Sequence, residues 1–240
     1  MGFDYAIWIL ALLLYVGDAA RLLSPRQLLL IEAGRGRLVP GFSEHTFTTV
    51  GRSVVFGPVL MPYRGVFVAS WSTAWRDAAS LQTALTAIEA LRRPLAGLRP
   101  LVSLVFALLF IVGPALTWAL GPGVAVLSVA ALLYPTIGVT IATLWWKRRA
   151  LRIPAARTVW LTVEMLICPA FLPNLIRKIT GAVAIEADGA QILAATAPAE
   201  VRTEFLARLA GLTEALIHET DDDTSRDHLR AYLATVQAAR

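Results

Sequence analysis

The feature that most constrains this chain is a long stretch without a charged side chain, from Pro100 to Trp146. A helix needs about 20 apolar residues to cross the hydrocarbon core of a bilayer, so this stretch accommodates two crossings and a turn. Gly121-Pro122-Gly123 lies near its middle and favours a tight turn. The stretch therefore predicts a transmembrane hairpin with one helix over Leu101–Leu120 and the other over Val124–Trp146.

Basic residues flank both open ends of the predicted hairpin. The first end carries Arg92, Arg93 and Arg99, and the second carries Lys147, Arg148 and Arg149 directly after the tryptophan pair 145–146. Tryptophan is enriched at membrane interfaces, and lysine and arginine are enriched in cytoplasmic loops. We therefore expect both open ends in the cytoplasm and the Gly-Pro-Gly turn outside.

The apolar segment Tyr5–Leu23 predicts one further span. The acidic Asp18 and the basic Arg21 and Arg26 lie at or just beyond its later end, which marks that end as cytoplasmic. The first four residues carry no basic side chain, so a cleaved signal peptide is not expected. The N-terminus is then expected outside, which agrees with the orientation predicted for the hairpin.

The composition agrees with a membrane protein. Of the residues, 57% are hydrophobic and only 16% are charged, whereas soluble domains have about a quarter of their residues charged. The chain is net basic, at +5, and the basic excess lies near the predicted spans, where it meets anionic lipid headgroups. The arginines are scattered and do not alternate with aromatic residues, which argues against nucleic-acid binding.

Residues 24–99 predict a cytoplasmic, β-rich segment followed by an amphipathic helix. The runs at 27–33, 45–50, 53–56 and 65–71 are rich in β-branched, aliphatic or aromatic residues and are separated by glycine and proline. Ser72 or Thr73 is expected to cap a helix that runs to about Arg93. Pro94 is expected to end or kink that helix.

Residues 147–180 predict a basic juxtamembrane region that contains an ambiguous apolar segment, Thr158–Ile176. As a span, this segment would carry an acid, Glu164, and the helix breakers Pro169 and Pro173 into the bilayer, and Arg177-Lys178 to its far side. A helix that lies at the interface, or that re-enters and returns, avoids these costs. The non-spanning interpretation is therefore favoured, and a fourth span is the alternative.

Residues 181–240 predict a cytoplasmic β-hairpin and two helices. Asp188-Gly189 lies between two apolar runs, 182–186 and 190–195, and this dipeptide is typical of a two-residue hairpin turn. The hairpin is expected to join the strands of the middle segment, because neither piece alone has enough strands for a stable sheet. The predicted fold is thus membrane α-helical, with about three transmembrane helices at 1–23 and 100–146 and a small α+β domain built from both sides of the hairpin.

The candidate site residues fall into three groups. The membrane-embedded acids Asp18 and Glu164 are candidates because an ionisable group within lipid is conventionally a functional suspect. The broken segment offers Cys168, Pro169, Pro173 and Asn174, although a single cysteine without a nearby histidine lacks an activating base. The loop residues His218, Asp221, Asp223 and His228 are weak candidates for a metal site, because their spacing fits no known loop and acids also favour a helix N-terminus.

The sequence contains no phosphate-binding, dinucleotide-binding or hydrolase motif and implies no cofactor. Cys168 is the single cysteine, so an intrachain disulfide is excluded. We expect a non-enzymatic accessory, assembly or scaffolding subunit of a bacterial inner-membrane complex, with a protein partner or a second copy in the membrane. The alternative is a lipid- or small-molecule-handling protein, a transport component or membrane enzyme, that uses the broken segment around Glu164 and Asn174.

Overall fold

The computed structural model describes residues 5–24, 26–34, 37–41, 47–49, 52–71, 78–183 and 185–239. Two predictions fall wholly or partly outside these ranges. They are the helix cap at Ser72 or Thr73 and both ends of the strand predicted at 45–50.

The described residues are mostly helical. The helices are α1 Ala6–Ala19, α2 Ala78–Ala96, α3 Arg99–Ala107, α4 Gly113–Leu120, α5 Pro122–Lys147, α6 Ala155–Ile167, α7 Leu175–Thr180, α8 Gly189–Thr196, α9 Ala199–Glu219 and α10 Asp223–Ala238. A π-helical turn, Leu108–Val112, joins α3 to α4, and a 3-10 helix, Pro169–Asn174, precedes α7. The strands are β1 Ala20–Leu23, β2 Gln27–Glu32, β3 Leu38–Pro40, β4 Phe47–Thr49, β5 Arg52–Phe56 and β6 Val66–Ser70.

The strands form two small sheets with the orders β1-β5-β4 and β3-β2-β6. In the second sheet β2 is central and antiparallel to both neighbours, with Leu30 opposite Pro40 on one side and Phe67 on the other. Leu28, Leu29 and Leu30 are all buried, so both faces of β2 are covered. This explains why β2 reads as a continuous apolar run and not as an alternating one.

The predicted hairpin is present as two antiparallel helices with a sharp turn. The first is continuous from Arg99 to Leu120 through the π-helical turn, and the second is α5. Gly121 alone makes the turn, with a φ of +84° that glycine adopts without steric cost. Pro122 then begins α5, where its missing N–H is not needed. By length and composition, these two helices are each able to cross a membrane.

A third span is not confirmed. Helix α1 has 14 residues, which at about 1.5 Å per residue is shorter than the roughly 30 Å of a hydrocarbon core. The predicted segment Tyr5–Leu23 is longer because its last four residues, Ala20–Leu23, form strand β1. Alanine and leucine occur in both helices and strands, so composition alone does not locate the boundary between α1 and β1.

The chain divides into two compact units. Unit 1 contains Met1–Arg21, Phe56–Gly65 and Ala90–Ala182, and unit 2 contains Leu22–Val55, Val66–Glu89 and Val183–Arg240. Unit 1 therefore includes α1, the helical hairpin and the broken segment. Unit 2 combines strands from before the hairpin with helices from after it.

One local prediction is wrong. The predicted β-hairpin around Asp188-Gly189 is helix α8, because the Asp188 side chain accepts hydrogen bonds from the backbone N–H groups of Ala190 and Gln191 and thereby caps the helix. Among the described residues of the predicted hairpin, Ile185 forms an isolated parallel bridge with Ala69. Pro94 lies inside α2, which ends two residues later at Ala96. The helix therefore ends close to the predicted position, about Arg93.

Within unit 2, α8 packs on the second sheet and the two last helices pack on each other. Gly189 lies against Leu28 and Ala69, where an added Cβ would come within 2.9 Å of the Ala69 side chain. The inward faces of α9 and α10 carry the buried residues Phe205, Leu206, Leu209, Leu229, Tyr232 and Val236. Leu212 of α9, by contrast, is exposed.

Candidate functional site

The broken segment folds back on itself. Helix α6 ends at Ile167, because Pro169 has no N–H to continue the helical pattern, and Pro173 lies within the 3-10 helix that follows. The 3-10 helix then redirects the chain into α7. As a result Glu164 and Lys178, which are 14 positions apart, are joined by an ion pair of 2.8 Å between Oε2 and Nζ.

Lys178 bridges two carboxylates. Its Nζ lies 2.9 Å from Oδ1 of Asp18 and 2.8 Å from Oε2 of Glu164. The side chains of Lys178, Asp18 and Glu164 are only 10%, 17% and 22% exposed, respectively. The ammonium also lies 4.8 Å from the centre of the Phe171 ring, a cation–π distance that adds to its stabilisation. Lys178 thus joins α1, α6 and α7 at one point.

Asn174 connects the end of the 3-10 helix to α1. Its Nδ2 donates to the backbone oxygen of Tyr15 at 2.9 Å and to Oδ2 of Asp18 at 3.0 Å. Its Oδ1 accepts a hydrogen bond from Nη1 of Arg177. Asn174 is buried, and both ends of its amide are paired, so the side-chain orientation is fixed by the network.

Arg177 is the most deeply buried charge of the group, with 3% of its surface exposed. Its Nη2 donates to the hydroxyl oxygen of Tyr15 at 3.3 Å and to the backbone oxygen of Pro58. The guanidinium carbon lies 5.7 Å from the centre of the Tyr15 ring. Its buried Nε has no hydrogen-bond partner among the residues that the structure describes.

We call Tyr15, Asp18, Glu164, Asn174, Arg177 and Lys178 the charge cluster. It contains two carboxylates and two cations, so its formal charge is balanced. Buried ion pairs overcome their desolvation only when the remaining polar atoms are also satisfied, and nearly all of the polar groups described above are paired. Each acid is paired with a cation, so the cluster holds the helices together. We call this structural role a lock between helices.

The broken segment also borders an apolar groove of about 270 Å³. Helix α1 contributes Ile7, Trp8, Leu10, Ala11 and Leu14, α5 contributes Val126, Val129, Ala130, Leu133 and Tyr134, and the remaining wall contains Leu109, Ile167, Cys168, Pro169 and Ala170. The groove is open on one side, and its lining is predominantly apolar. It therefore suits hydrocarbon better than a polar substrate.

The structure brings together some of the site residues that were predicted from the sequence. The structure brings Asp18, Glu164 and Asn174 into the charge cluster and places Cys168 and Pro169 at the groove. Both acids pair with the same cation, Lys178. Lys178, Arg177 and Tyr15 were not predicted as members of a site. The sequence feature that could have indicated the two cations is a basic pair directly after an apolar segment that contains an acid.

The acidic loop before α10 forms no comparable cluster. Asp223 pairs with Arg226, and Asp222 caps α10 through a 2.8 Å hydrogen bond from the N–H of Ser225. Among the described residues, no group of three or more histidine, cysteine or acidic side chains is arranged to hold a metal ion. The loop residues His218, Asp221, Asp223 and His228 are therefore not brought together.

No protein-family model, curated protein or solved structure matches this chain.

Proposed function

We propose that this chain is a non-enzymatic integral membrane protein in which unit 1 is the membrane body and unit 2 a cytoplasmic domain. The observation that carries the proposal is the apolar exterior of the two long helices. Only 33% of the apolar window of each helix is buried, whereas a core helix of a soluble protein has most of its residues buried. Trp118 is 84% exposed and Leu127 is 73% exposed, and exposed apolar surface of this kind marks a membrane or protein contact.

The proposed role is an accessory, assembly or scaffolding subunit of a bacterial inner-membrane complex. The charge cluster supports this role, because its acids are paired with Lys178 and its amide is fully bonded. Ion pairs of this kind hold helices together when their remaining polar atoms are satisfied. The exposed apolar exterior offers surface for a protein partner or for a second copy within the bilayer.

Topology is the direct test. In a Cys168→Ser background, single cysteines would be placed at Pro122 and at Asp222, and a membrane-impermeant maleimide would be added to intact cells. Labelling at position 122 but not at 222 is expected, since the hairpin turn would lie outside and unit 2 inside. The membrane proposal would be wrong if the protein is found in the soluble fraction and both positions are labelled equally, and only after lysis.

The role of the acid is tested by Glu164→Gln. The glutamine keeps an acceptor for the Nε1–H of Trp160, which donates to Oε1 of Glu164 at 2.6 Å, but it removes the charge that pairs with Lys178. If Glu164 serves the lock, the variant protein is less abundant or less stable in the membrane, and any loss of complex assembly follows that abundance. A variant that remains fully abundant and stable and still assembles with its partners, while growth fails, would contradict the accessory role and favour ligand handling.

A second candidate function, lipid handling, is favoured by the groove beside Cys168. Ala130→Phe would fill part of this groove, whereas Ala131→Phe adds the same ring at a neighbouring exposed position outside it. Lipid extracted from the purified protein would be measured by mass spectrometry. Lipid handling predicts that Ala130→Phe lowers the bound lipid and Ala131→Phe does not, and equal lipid content in both variants and the unmodified protein would reject it.

A further inference from the structure

The segment at residues 57–65 is an ordered loop of unit 1 with an unusual surface. Two successive turns shape it, with the N–H of Met61 donating to the oxygen of Pro58 at 2.8 Å and the N–H of Arg64 donating to the oxygen of Met61 at 3.1 Å. Gly57, Pro62 and Gly65 are buried. The backbone of the loop is thus held in place, and its apolar side chains are presented by a fixed scaffold.

The 57–65 loop is fastened to the helices of unit 1 by two buried donors. The hydroxyl of Tyr15 donates to the backbone oxygen of Val59, and Nη2 of Arg177 donates to the backbone oxygen of Pro58. Tyr15 is 0% and Arg177 3% exposed. The charge cluster therefore fixes this loop as well as the broken segment.

The exposed side chains of the loop are apolar. Leu60 is 81% exposed, Tyr63 39% and Met61 36%. Single exposed apolar residues are common on proteins and need no explanation. Three within four positions, on a loop held by buried hydrogen bonds, are a different case, because turns in contact with water are usually built from polar residues and glycine.

The neighbouring charge indicates what covers this surface. Arg64, which is partly exposed, is the single charged residue of the loop. The loop is attached at the end of α1 that carries Tyr15 and Asp18, the end that the basic flanks predict to face the cytoplasm. Aliphatic side chains next to tyrosine and arginine are the composition that enters the headgroup region of an anionic leaflet, with the aliphatic groups in the acyl boundary and the charge among the phosphates.

We infer that the 57–65 loop is a lipid-binding anchor that inserts Leu60, Met61 and Tyr63 into the interface of the cytoplasmic leaflet. This inference rests on the proposed membrane location of unit 1. In a membrane-embedded unit 1, the anchor adds a lipid contact at residues 57–65 to the contacts made by the two long helices. The proposed occupant of this surface is phospholipid. The alternative, contact with a protein, is distinguished by the test below.

Single labelled cysteines in the full chain test the inference. In a Cys168→Ser background, an environment-sensitive fluorophore would be attached at Leu60→Cys, at Leu127→Cys on the exposed face of α5, and at Leu212→Cys on α9. Leu212 is the matched control, because it is also an exposed leucine, at 41%, but belongs to unit 2. Each protein would be reconstituted into vesicles of mixed anionic and zwitterionic phospholipid, and quenching by a spin-labelled lipid would be compared with quenching by aqueous iodide.

The expected result is strong lipid quenching at positions 60 and 127 and strong iodide quenching at 212. Lipid quenching at 127 with iodide quenching at 60 would overturn the anchor and leave the membrane location intact. Iodide quenching at 127 would instead overturn the proposed function. Protection of position 60 from both quenchers would also reject the lipid anchor, since it indicates contact with protein. Tyr63→Cys serves as the second reporter if Leu60→Cys does not reconstitute.

Discussion

Trp8 lies directly against Gly113, so that a Cβ on Gly113 would come within 2.5 Å of the indole carbon Cη2. The same indole donates a 2.7 Å hydrogen bond from Nε1 to Oγ1 of Thr117, one helical turn further along α4. Helices in membranes approach closely where a small residue leaves space and a polar side chain bonds across the contact. Gly113 and Thr117 supply both, and they fix α1 against the hairpin.

Gly113→Ala is expected to destabilise unit 1. The added methyl group has to displace a rigid aromatic ring whose Nε1 is already bonded, and overpacking of this kind costs about 1–3 kcal/mol. Gly138→Ala is the matched control, since a Cβ there meets nothing within 4 Å. Thermal unfolding of both variants in detergent would measure the difference. Equal transition temperatures for the two variants would contradict the contact.

Lys178→Met is expected to be strongly destabilising. It removes the cation shared by Asp18 and Glu164 and leaves two partly buried carboxylates uncompensated, and breaking a buried pair costs about 3–5 kcal/mol. Arg230→Met is the control, because its pair with Asp227 is 62% and 74% exposed, and such pairs contribute about 0–1 kcal/mol. The yield of folded protein and its denaturant midpoint would be compared. A loss no larger than that of Arg230→Met would show that the charge cluster is not a lock.

The hairpin was predictable from the sequence because its signal is local. A long stretch without charge, interrupted by Gly121-Pro122, has few alternatives to two apolar helices and a turn. The charge cluster was not predictable in the same way. Lys178 follows an apolar segment and resembles an ordinary basic flank, and only the reversal of the chain at Pro169 and Pro173 brings it to Glu164.

The error at Asp188-Gly189 has a different physical origin. Aspartate followed by glycine satisfies a hairpin turn, but an aspartate side chain also caps a helix by accepting N–H bonds two and three residues later. The choice depends on what the following residues pack against. Here Gly189 fits closely on Leu28 and Ala69, and that tertiary contact is not visible in the local sequence.

Asp188→Ala is expected to destabilise unit 2 more than Tyr232→Phe. Asp188 is 0% exposed and caps α8 while its Oδ1 accepts the hydroxyl of Tyr232 at 3.2 Å. The alanine leaves buried donors unsatisfied, at a cost of about 1–3 kcal/mol, whereas the phenylalanine removes one hydrogen bond and keeps the ring beside Trp71, at about 0.5–1.5 kcal/mol. A denaturant series on both single variants and the double variant would measure the coupling. Additive effects would contradict a direct bond.

The cap of α10 is expected to weaken in acid. Hydrogen bonds from the side chain and then the backbone of Ser225 lower the pKa of Asp222 from its ordinary value of 3.8. Because the folded pKa is the lower one, the stabilisation by the carboxylate is complete above the ordinary value and is lost as the pH falls through the folded value. The first turn of α10 should therefore exchange its amide hydrogens faster in acid, after correction for the intrinsic exchange rate.

Asp222→Asn distinguishes the effect of losing the carboxylate charge from the effect of losing the helix cap. Asparagine caps a helix about as well as aspartate but does not ionise, so the variant should keep the same corrected protection at about pH 6 and about pH 3. Asp221→Ala, which removes a neighbouring exposed carboxylate from the same loop, should follow the unmodified protein at both values. Hydrogen exchange of a peptide covering the start of α10 would be measured by mass spectrometry in all three proteins. If acid weakens the asparagine variant as much as the unmodified protein, the pH dependence does not come from Asp222.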